Sequence, residues 1–294
     1  MKSSVIIIYN PAARTAARAK IDAARSFLGS RGYAVEVLCT GKSGDAETLA
    51  REAARQEPQL IVAAGGDGTI NEVMNGMIFS GIPLGIFPLG TTNVLAREIY
   101  PRRDRNTVLE SIISGRSRSV ALGRITCLTG DTLQSRYFCL MAGVGFDGQT
   151  VRDVNLHLKK HAGPGAYVLS GLRTLLSYAP GEISLTIDGK PVRGYAAIIG
   201  NISRYGGDFK ITPDARIDEP SFYVCVFQGR KRTDLLRYVF MLPFGRHIRA
   251  RDVLYLRAEE ITIAGSSPVQ IDGDYLGTTP ATITVVKDAI RLIC

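Results

Sequence analysis

The feature that most constrains the fold is a change in rhythm along the chain near residue 118. Before it, short apolar runs alternate regularly with stretches of helical periodicity. Continuous apolar strands that alternate with amphipathic helices are typical of a parallel sheet covered by helices on both faces. We therefore predict an α/β domain, and its elements are strands over 5–10, 34–40, 59–64 and 83–89 and helices over 14–32, 43–56 and onward from about residue 69.

Beyond this point the chain is rich in β-branched and alternating runs, which Gly, Asp and Pro turns separate. The pattern predicts a mostly antiparallel β domain of the sandwich or barrel type, interrupted by helices at about 151–178 and 231–243. We place the boundary in the segment 116–124 and predict domains over 1–120 and 121–294. We expect a ligand in the cleft between the domains, beyond the carboxyl ends of the parallel strands.

The net charge of +9 and the pI near 9.4 favour an anionic partner, which nucleotide phosphates, an acidic membrane or nucleic acid would each provide. The chain has no recognised nucleic-acid motif and only 7% aromatic residues, so we predict no nucleic-acid partner. No apolar run approaches the ~18 residues that span a bilayer, and no secretory signal is present, which predicts a cytoplasmic protein. The cysteines are scattered and predict reduced thiols, and His157 and His161 predict a solvated helix rather than a zinc site.

One loop has the composition of an anion-binding site. In "AAGGDGTINEVMNGM" (63–77), Gly65, Gly66 and Gly68 allow close backbone approach, and the following helix offers free N–H groups. A tight strand-to-helix turn without a ligand is the alternative. Asp67 would repel a phosphate, unless a cation such as Mg²⁺ lies between them or the carboxylate accepts a hydrogen bond from the acceptor group.

A second loop of similar kind, PLGTTN (88–93), follows the next strand. Adjacent parallel strands would place the two loops side by side, where Thr91, Thr92 and Asn93 could hydrogen-bond phosphate or ribose. TGKSG is not a Walker A loop, because Glu36 stands where that motif requires glycine. GVGFDG (143–148) fits a dinucleotide fingerprint but lies in the β-rich half, which argues against that interpretation.

The motifs GGDGTINEV, PLGTTN, GVGFDG, RYGGDFKITPDARID and IDGDYLGTTP follow one another in the same order as in the bacterial diacylglycerol kinase family. The resemblance covers nearly the whole chain, and the family includes soluble lipid kinases and is related to sphingosine kinases. It implies a nucleotide-binding domain like that of phosphofructokinase and NAD kinase, followed by a β-sandwich that holds the lipid. It also implies ATP and Mg²⁺ as cofactors and transfer of the γ-phosphoryl group to a lipid hydroxyl, most simply diacylglycerol to phosphatidic acid.

The resemblance assigns roles to particular residues. The family's catalytic base closes a D-G-E triplet, which is here Asp272-Gly273-Asp274, so Asp274 takes that role with a shorter side chain, beside Asp272 and Asp67. From the residues alone, IDGD predicts a hairpin turn. Residues that match the family's ATP contacts are Thr40, Gly65, Gly66, Asp67, Gly68, Thr69, Ile70, Asn71 and Thr91.

The resemblance also implies a structural metal, held by the Glu219 side chain and the carbonyls of Arg216 and Ser221. The family more often has Asp-Gly where this chain has Glu219-Pro220. Proline cannot take the positive φ that glycine allows, so the metal site departs from the family pattern there.

Two segments combine basic and apolar residues as membrane-surface helices do, over 151–180 and 230–251. They favour peripheral contact with an anionic membrane, and core helices with solvated basic edges are the alternative. Three other functions stay open: a kinase of another lipid alcohol (sphingoid base, monoacylglycerol or polyprenol), an NAD kinase-like enzyme, and a catalytically silent binding protein. A homodimer is also left open.

Overall fold

The structure is a computed structural model that describes residues 4–13, 17–100, 104–153 and 181–294. It divides into two compact units, Met1–Ala121 with Lys287–Cys294, and Leu122–Val286. The last eight residues, which the sequence assigned to the second domain, thus belong to the first unit. Beyond residue 153, the predicted helix over 151–178 and the basic segment 151–180 lie outside the described residues, together with His157 and His161.

The first unit alternates strands and helices as predicted, with short helices added after the fourth strand. Its elements are β1 (Ser4–Tyr9), α1 (Ala17–Ser30), β2 (Ala34–Cys39), α2 (Asp45–Arg55), β3 (Leu60–Gly65), α3 (Asp67–Met77), β4 (Pro83–Pro88), α4 (Val94–Ile99) and α5 (Arg105–Ser114).

The strands of this unit form a parallel sheet in the order β4-β3-β1-β2. Every residue of β3 is buried, which explains why the strand is apolar without interruption. The carboxyl ends of the four strands lie at one edge of the sheet, because all of them run in the same direction. The loops that follow them are therefore neighbours.

The second unit is mainly antiparallel. Strand β5 begins in the first unit and strand β17 ends in it. The elements are β5 (Ser117–Thr129), β6 (Thr132–Phe138), β7 (Met141–Val144), α6 (Phe146–Asp153), β8 (Ile183–Ile187), β9 (Lys190–Gly194), β10 (Ala196–Gly200), β11 (Arg204–Tyr205), β12 (Phe209–Lys210), β13 (Phe222–Phe227), α7 (Arg232–Met241), β14 (Val253–Ala258), β15 (Glu260–Ala264), β16 (Pro268–Ile271) and β17 (Asp274–Ile293).

Strands β14, β13, β10, β7, β16 and β17 pair in that order, and β15 joins β17 to the β8–β9 hairpin. Buried side chains from both of these groups of strands form a single core cluster. Within it, the rings of Phe138 and Phe222 stack with their centroids 5.7 Å apart. The predicted fold class, a parallel α/β domain followed by an antiparallel β-sandwich, is confirmed. Within the described residues, no helix has the length and apolar character needed to cross a bilayer.

At the far end of β17, Arg291 and Leu292 pair in parallel with Pro83 and Leu84 of β4. The backbone N–H of Phe79 also donates to the carbonyl of Ala289 at 2.9 Å. The C-terminal residues therefore supply the strand that covers the β4 edge of the parallel sheet.

Candidate functional site

The loops at the carboxyl edge of the parallel sheet are tied together by side chains. Asn10, which follows β1, donates from Nδ2 to Thr69 Oγ1 at 3.3 Å. The carboxylate of Glu72 in α3 accepts from the backbone N–H groups of Gly44 (3.0 Å) and Ala46 (3.2 Å) at the start of α2. The predicted ATP contacts therefore lie on neighbouring loops of one edge, including Thr40, which is buried directly after β2.

The two glycine-containing loops approach each other backbone to backbone. A Cβ added at Gly90 would lie 2.6 Å from the Cα of Gly66, and one added at Gly65 would lie 2.6 Å from the Cβ of Thr69. The N–H of Leu89 donates to the carbonyl of Gly65 at 2.9 Å. Glycine is thus required at these positions by the packing of the loops themselves.

Asp67 links the two loops. It is the first residue of α3, and its Oδ1 accepts from the backbone N–H of Leu95 in the first turn of α4 at 3.2 Å. The N-cap of α4, Asn93, provides no side-chain cap of its own, so Asp67 satisfies a helix N-terminus that would otherwise lack a partner there. Burial raises the pKa of Asp67 and outweighs the backbone N–H groups of Val94 and Leu95.

The residues of this edge fit a nucleotide with a divalent cation. A cation beside Asp67 would offset the desolvation of its carboxylate. Within the described residues, no three His, Cys, Asp or Glu side chains are placed so that they could hold a metal ion together, so the phosphates and water would have to complete the coordination. Asn93 donates from Nδ2 to the carbonyl of Gly90 at 2.7 Å, and its buried Oδ1 has no hydrogen-bond partner, which leaves it as an acceptor for a ligand hydroxyl.

Not every predicted nucleotide contact is presented to a ligand. Ile70 is fully buried, and its N–H donates to the carbonyl of Gly66 within α3. The Oδ1 of Asn71 accepts from Nδ2 of Asn75 at 3.0 Å. Gly68 and Thr91 are exposed. The loop and first turn thus offer backbone and hydroxyl groups, whereas Ile70 and Asn71 contribute through packing within α3.

In the second unit, the Asp272-Gly273 pair forms the turn between β16 and β17. Both residues have a positive φ (49° and 87°), as a two-residue hairpin requires. Asp272 Oδ1 accepts from the N–H groups of Leu140 and Met141, each at 2.9 Å, and Oδ2 accepts from the N–H of Cys139 at 2.8 Å. Burial raises the pKa of Asp272 despite these bonds.

The hairpin prediction for this turn is confirmed, and the two carboxylates that it carries have different surroundings. Asp272 is turned inward and holds the 139–141 segment, whereas Asp274, the first residue of β17, is exposed. The geometry gives Asp272 a positioning role. Of these two aspartates, Asp274 is the one that is exposed.

The predicted structural metal site lies in one turn, but its carboxylate has a competing partner. Glu219 Oε1 lies 3.6 Å from the Nε of Arg216, and the N–H of Glu219 donates to the carbonyl of Arg216 at 3.0 Å. Ser221 is buried, with its Oγ accepting from Nε of Arg257 at 2.9 Å. The guanidinium of Arg216 lies nearer to Asp218 Oδ1, at 3.2 Å, so it competes only weakly with a cation for the Glu219 carboxylate.

Sequence reasoning missed Asp147, which follows the start of α6. It is buried, and its carboxylate accepts from the hydroxyl of Tyr205 and from Nε2 of Gln270, the latter at 2.6 Å. Burial raises the pKa of Asp147. Gly143 is required beside it, because an added Cβ would lie 1.8 Å from Asp147 Oδ2. The sequence signal for this residue is the GVGFDG motif, which belongs to the family resemblance but assigns no role to its aspartate.

Asp147 borders a mostly apolar cavity of about 110 Å³. His247 also lines it and is 1% exposed, and its Nε2 donates to the carbonyl of Ile211 at 2.9 Å. Burial lowers the pKa of His247, which keeps the ring neutral and leaves Nδ1 as a buried acceptor without a partner. Its apolar lining with a few polar groups is the usual character of a small-molecule site, but the cavity is smaller than the ~300 to 1,000 Å³ that such sites usually have.

Comparison with known proteins agrees with the motifs. Residues 4–125 match the diacylglycerol kinase catalytic domain, and residues 141–294 match the YegS C-terminal NAD kinase beta sandwich-like domain. A diacylglycerol kinase of Bacillus subtilis (strain 168) is 32% identical over 282 residues, which cover 93% of this chain and 90% of that protein. One of Staphylococcus carnosus (strain TM300) is 27% identical over 299 residues, with coverages of 99% and 95%.

Solved structures share the fold. A diacylglycerol kinase from Bacillus anthracis str. Sterne gives a TM-score of 0.71 at 20% identity, covering 99% of this chain and 97% of that chain. Yeast NADH kinase in complex with NADH gives 0.56 at 12% identity, covering 100% and 84%. On the family matches and the identity to curated relatives, the chain belongs to the diacylglycerol kinase family of lipid kinases.

Proposed function

We propose that this protein transfers the γ-phosphoryl group of ATP to a lipid hydroxyl in a Mg²⁺-dependent reaction, with diacylglycerol as acceptor and phosphatidic acid as product. Beyond family membership, one observation carries the proposal. Two glycine loops are packed against each other at the carboxyl edge of the sheet, with Asp67 joining them at the N-terminus of α4. Such an edge offers backbone N–H groups and a helix dipole to phosphates.

The residues of the first unit would bind and orient the nucleotide. Gly66 and Gly68 allow the phosphates to approach the backbone, and Thr40 and Thr91 offer hydroxyl groups. Bound Mg²⁺, held by Asp67 and phosphate oxygens, would neutralise the charge that develops on the transferred group. Asn93 Oδ1 would accept a hydrogen bond from a nucleotide hydroxyl.

In the second unit, Asp274 would take the proton of the acceptor hydroxyl. Asp272 would fix the hairpin that carries it, through the backbone of 139–141. The cavity beside Asp147 and His247 would accommodate part of the acceptor lipid. We further propose that the protein is cytoplasmic and associates peripherally with the inner face of an anionic membrane, where its acceptor resides.

A transfer assay tests the proposal. Purified protein with radiolabelled ATP and Mg²⁺ is offered diacylglycerol, monoacylglycerol, a sphingoid base, a polyprenol and NAD in parallel. We expect label in phosphatidic acid and none in NADP. Label in another lipid would show that this lipid, and not diacylglycerol, is the acceptor. Label in NADP would favour the NAD kinase-like alternative. No label in any product would favour a catalytically silent binding protein.

Asp274 is tested by a pair of variants. We expect Asp274→Asn to lower kcat by about 10² to 10⁴, since it removes the proton acceptor while keeping size and shape. Asp274→Glu keeps a carboxylate at the position where the family has one, so it is expected to retain activity. Because Asp274 is exposed, neither change should alter the melting temperature by more than about 1 °C. Equal activity of the two variants would contradict the role.

The metal site of Glu219 stays a prediction, and thermal unfolding tests it. If a cation binds there, millimolar Mg²⁺ without nucleotide raises the apparent melting temperature of the wild type by about 2 to 5 °C. Glu219→Gln should abolish that rise. A wild type whose melting temperature does not respond to Mg²⁺ would contradict the predicted metal site.

A further inference from the structure

Helix α7 and the turn after it expose a contiguous set of large apolar side chains. Leu236, Val239, Phe240 and Phe244 are 39%, 55%, 72% and 76% exposed. Leu236 is three and four residues before Val239 and Phe240 on α7, and Phe244 ends the following turn, whereas Leu235 and Tyr238 of the same helix are buried. We call these four exposed residues the α7 surface. Phe240 and Phe244 are the most exposed of the large apolar residues in the described part of the chain.

The helix that carries the α7 surface is firmly held. The Tyr238 hydroxyl donates to Asp252 Oδ2 at 2.6 Å, and the Arg237 guanidinium pairs with the same carboxylate. At the N-terminus, the Asp234 carboxylate accepts from the N–H of Lys231 at 2.9 Å, and the N–H of Asp234 donates to the carbonyl of Lys231 at 2.9 Å. The apolar side chains are therefore displayed by an anchored helix and not by a frayed end.

The charge around this surface is predominantly positive. Segment 230–251 contains seven Lys and Arg residues against a single acid, Asp234, which accounts for six of the nine net positive charges of the chain. Exposed members flank the helix and its turn on both sides: Arg230, Lys231, Arg246, Arg249 and Arg251. An apolar face with a basic border complements an anionic bilayer, in which aromatic side chains enter the interface and basic ones meet the lipid head groups.

The α7 surface is also continuous with the cavity of the second unit. Val239 belongs to both, and Leu242 of the following turn lines the cavity as well. An acyl chain that leaves a bilayer at this surface would meet an apolar cavity directly beside it. A lipid bilayer supplies both an acyl chain for the cavity and anionic head groups for the basic border, which favours it as the occupant.

We propose that the α7 surface is the membrane-docking element of this protein, with Phe240 and Phe244 inserting into the interface of an anionic bilayer and the surrounding arginines binding its head groups. The inference rests on the proposed function, because only a membrane-resident acceptor calls for such an element. It names the face of the molecule on which the acceptor lipid arrives.

Fluorescence provides the first test. The chain contains no tryptophan, so Phe244→Trp introduces a single reporter. Vesicles of phosphatidylglycerol and phosphatidylcholine at low salt are expected to shift its emission to shorter wavelength, since the indole leaves water. The matched control is Phe79→Trp, because Phe79 is 63% exposed but lies in the first unit. No shift for Phe244→Trp, or an equal shift for the control, would overturn the proposal.

Co-sedimentation with the same vesicles provides the second test. Phe240→Ala/Phe244→Ala is expected to weaken partitioning by about tenfold or more, whereas Phe79→Ala should bind as the wild type does. Neutral phosphatidylcholine vesicles and high salt should each reduce wild-type binding. Unchanged binding of the double variant, or equal binding to neutral vesicles, would contradict the proposal. Self-association of the wild type that the double variant abolishes would assign the surface to a dimer instead.

Failure of this inference and failure of the proposed function are distinguishable. Both binding tests are done without nucleotide and do not depend on turnover. In the transfer assay, the double variant is expected to keep wild-type activity on a water-soluble short-chain diacylglycerol and to lose it on diacylglycerol embedded in vesicles. A wild type that phosphorylates neither substrate would refute the proposed function, while vesicle binding would still decide the role of the α7 surface.

Discussion

Replacing Asp272 with alanine is expected to lower the free energy of unfolding by about 3 to 5 kcal/mol. The substitution leaves the backbone N–H groups of Cys139, Leu140 and Met141 without their acceptor in a part-buried segment. An unpaired buried donor costs about 1 to 3 kcal/mol, and these three share one carboxylate, so their losses are not fully additive. Denaturant unfolding measures the change through the transition midpoint.

The chain contains a matched control for this variant. Asp188 begins another Asp-Gly hairpin turn with a positive φ of 47°, and its carboxylate accepts from Glu259 and Glu260 N–H groups at an exposed position. Asp188→Ala should therefore cost about 1 kcal/mol or less, because water replaces the lost acceptor. If both variants unfold at the same denaturant concentration, the 139–141 contacts do not carry the stability assigned to them.

Replacing Asp67 with asparagine is expected to lower kcat by about a thousandfold without destabilising the fold. Asparagine has the same shape and still offers an oxygen to the N–H of Leu95, but it carries no charge for a divalent cation. Turnover in the transfer assay and nucleotide binding by calorimetry, each with and without Mg²⁺, measure the loss. Wild-type activity in this variant would remove Asp67 from the proposed machinery.

The pH dependence of the melting temperature of Asp67→Asn distinguishes the effect of the Asp67 charge from the effect of the side-chain shape. Burial raises the pKa of the Asp67 carboxyl above 3.8, the value of an unburied aspartate. The protonated carboxyl therefore stabilises the fold fully below pH 3.8, and this stabilisation is lost as the pH rises through the raised pKa. Asp67→Asn removes this dependence, so its melting temperature at neutral pH should equal or exceed that of the wild type. A clearly lower melting temperature would show that the carboxylate, and not the shape, caps α4.

The parallel sheet was predictable because burial on both faces makes its strands continuously apolar. β3 is the clearest case, since every residue from Leu60 to Gly65 is buried. The end of β17 was not predictable in the same way. Its pairing with β4 joins residues about 200 positions apart along the chain, and nothing in the local pattern of Arg291 and Leu292 distinguishes it from the antiparallel strands before it.

The glycine loops were identified from sequence, but the partner of Asp67 was not. Its hydrogen bond reaches Leu95, 28 residues away, on a short helix that the sequence did not predict. For Asp272 and Asp274, too, the local sequence did not predict the long-range contacts. The local pattern gives a hairpin turn, and only the position of the 139–141 segment decides which carboxylate is turned inward.

Asp147 was missed for a related reason. Its hydrogen-bond partners Tyr205 and Gln270 come from distant strands, and the cavity that Asp147 and Tyr205 border is also lined by residues of helix α7 and by His247. Residue types within GVGFDG do not reveal that the aspartate is buried. The polar groups of such a site become visible only when the tertiary structure has brought them together.

The placement of Lys287–Cys294 beside β4 has a consequence for synthesis on the ribosome. The first unit is built mainly from residues before 122, yet the strand that covers the β4 edge of its sheet comes from residues about 200 positions further along the chain. Until they emerge, the β4 margin keeps unpaired amide and carbonyl groups open to mispairing with other nascent chains. A fragment that stops short of Lys287 is for this reason a poor starting point for isolating the nucleotide-binding half.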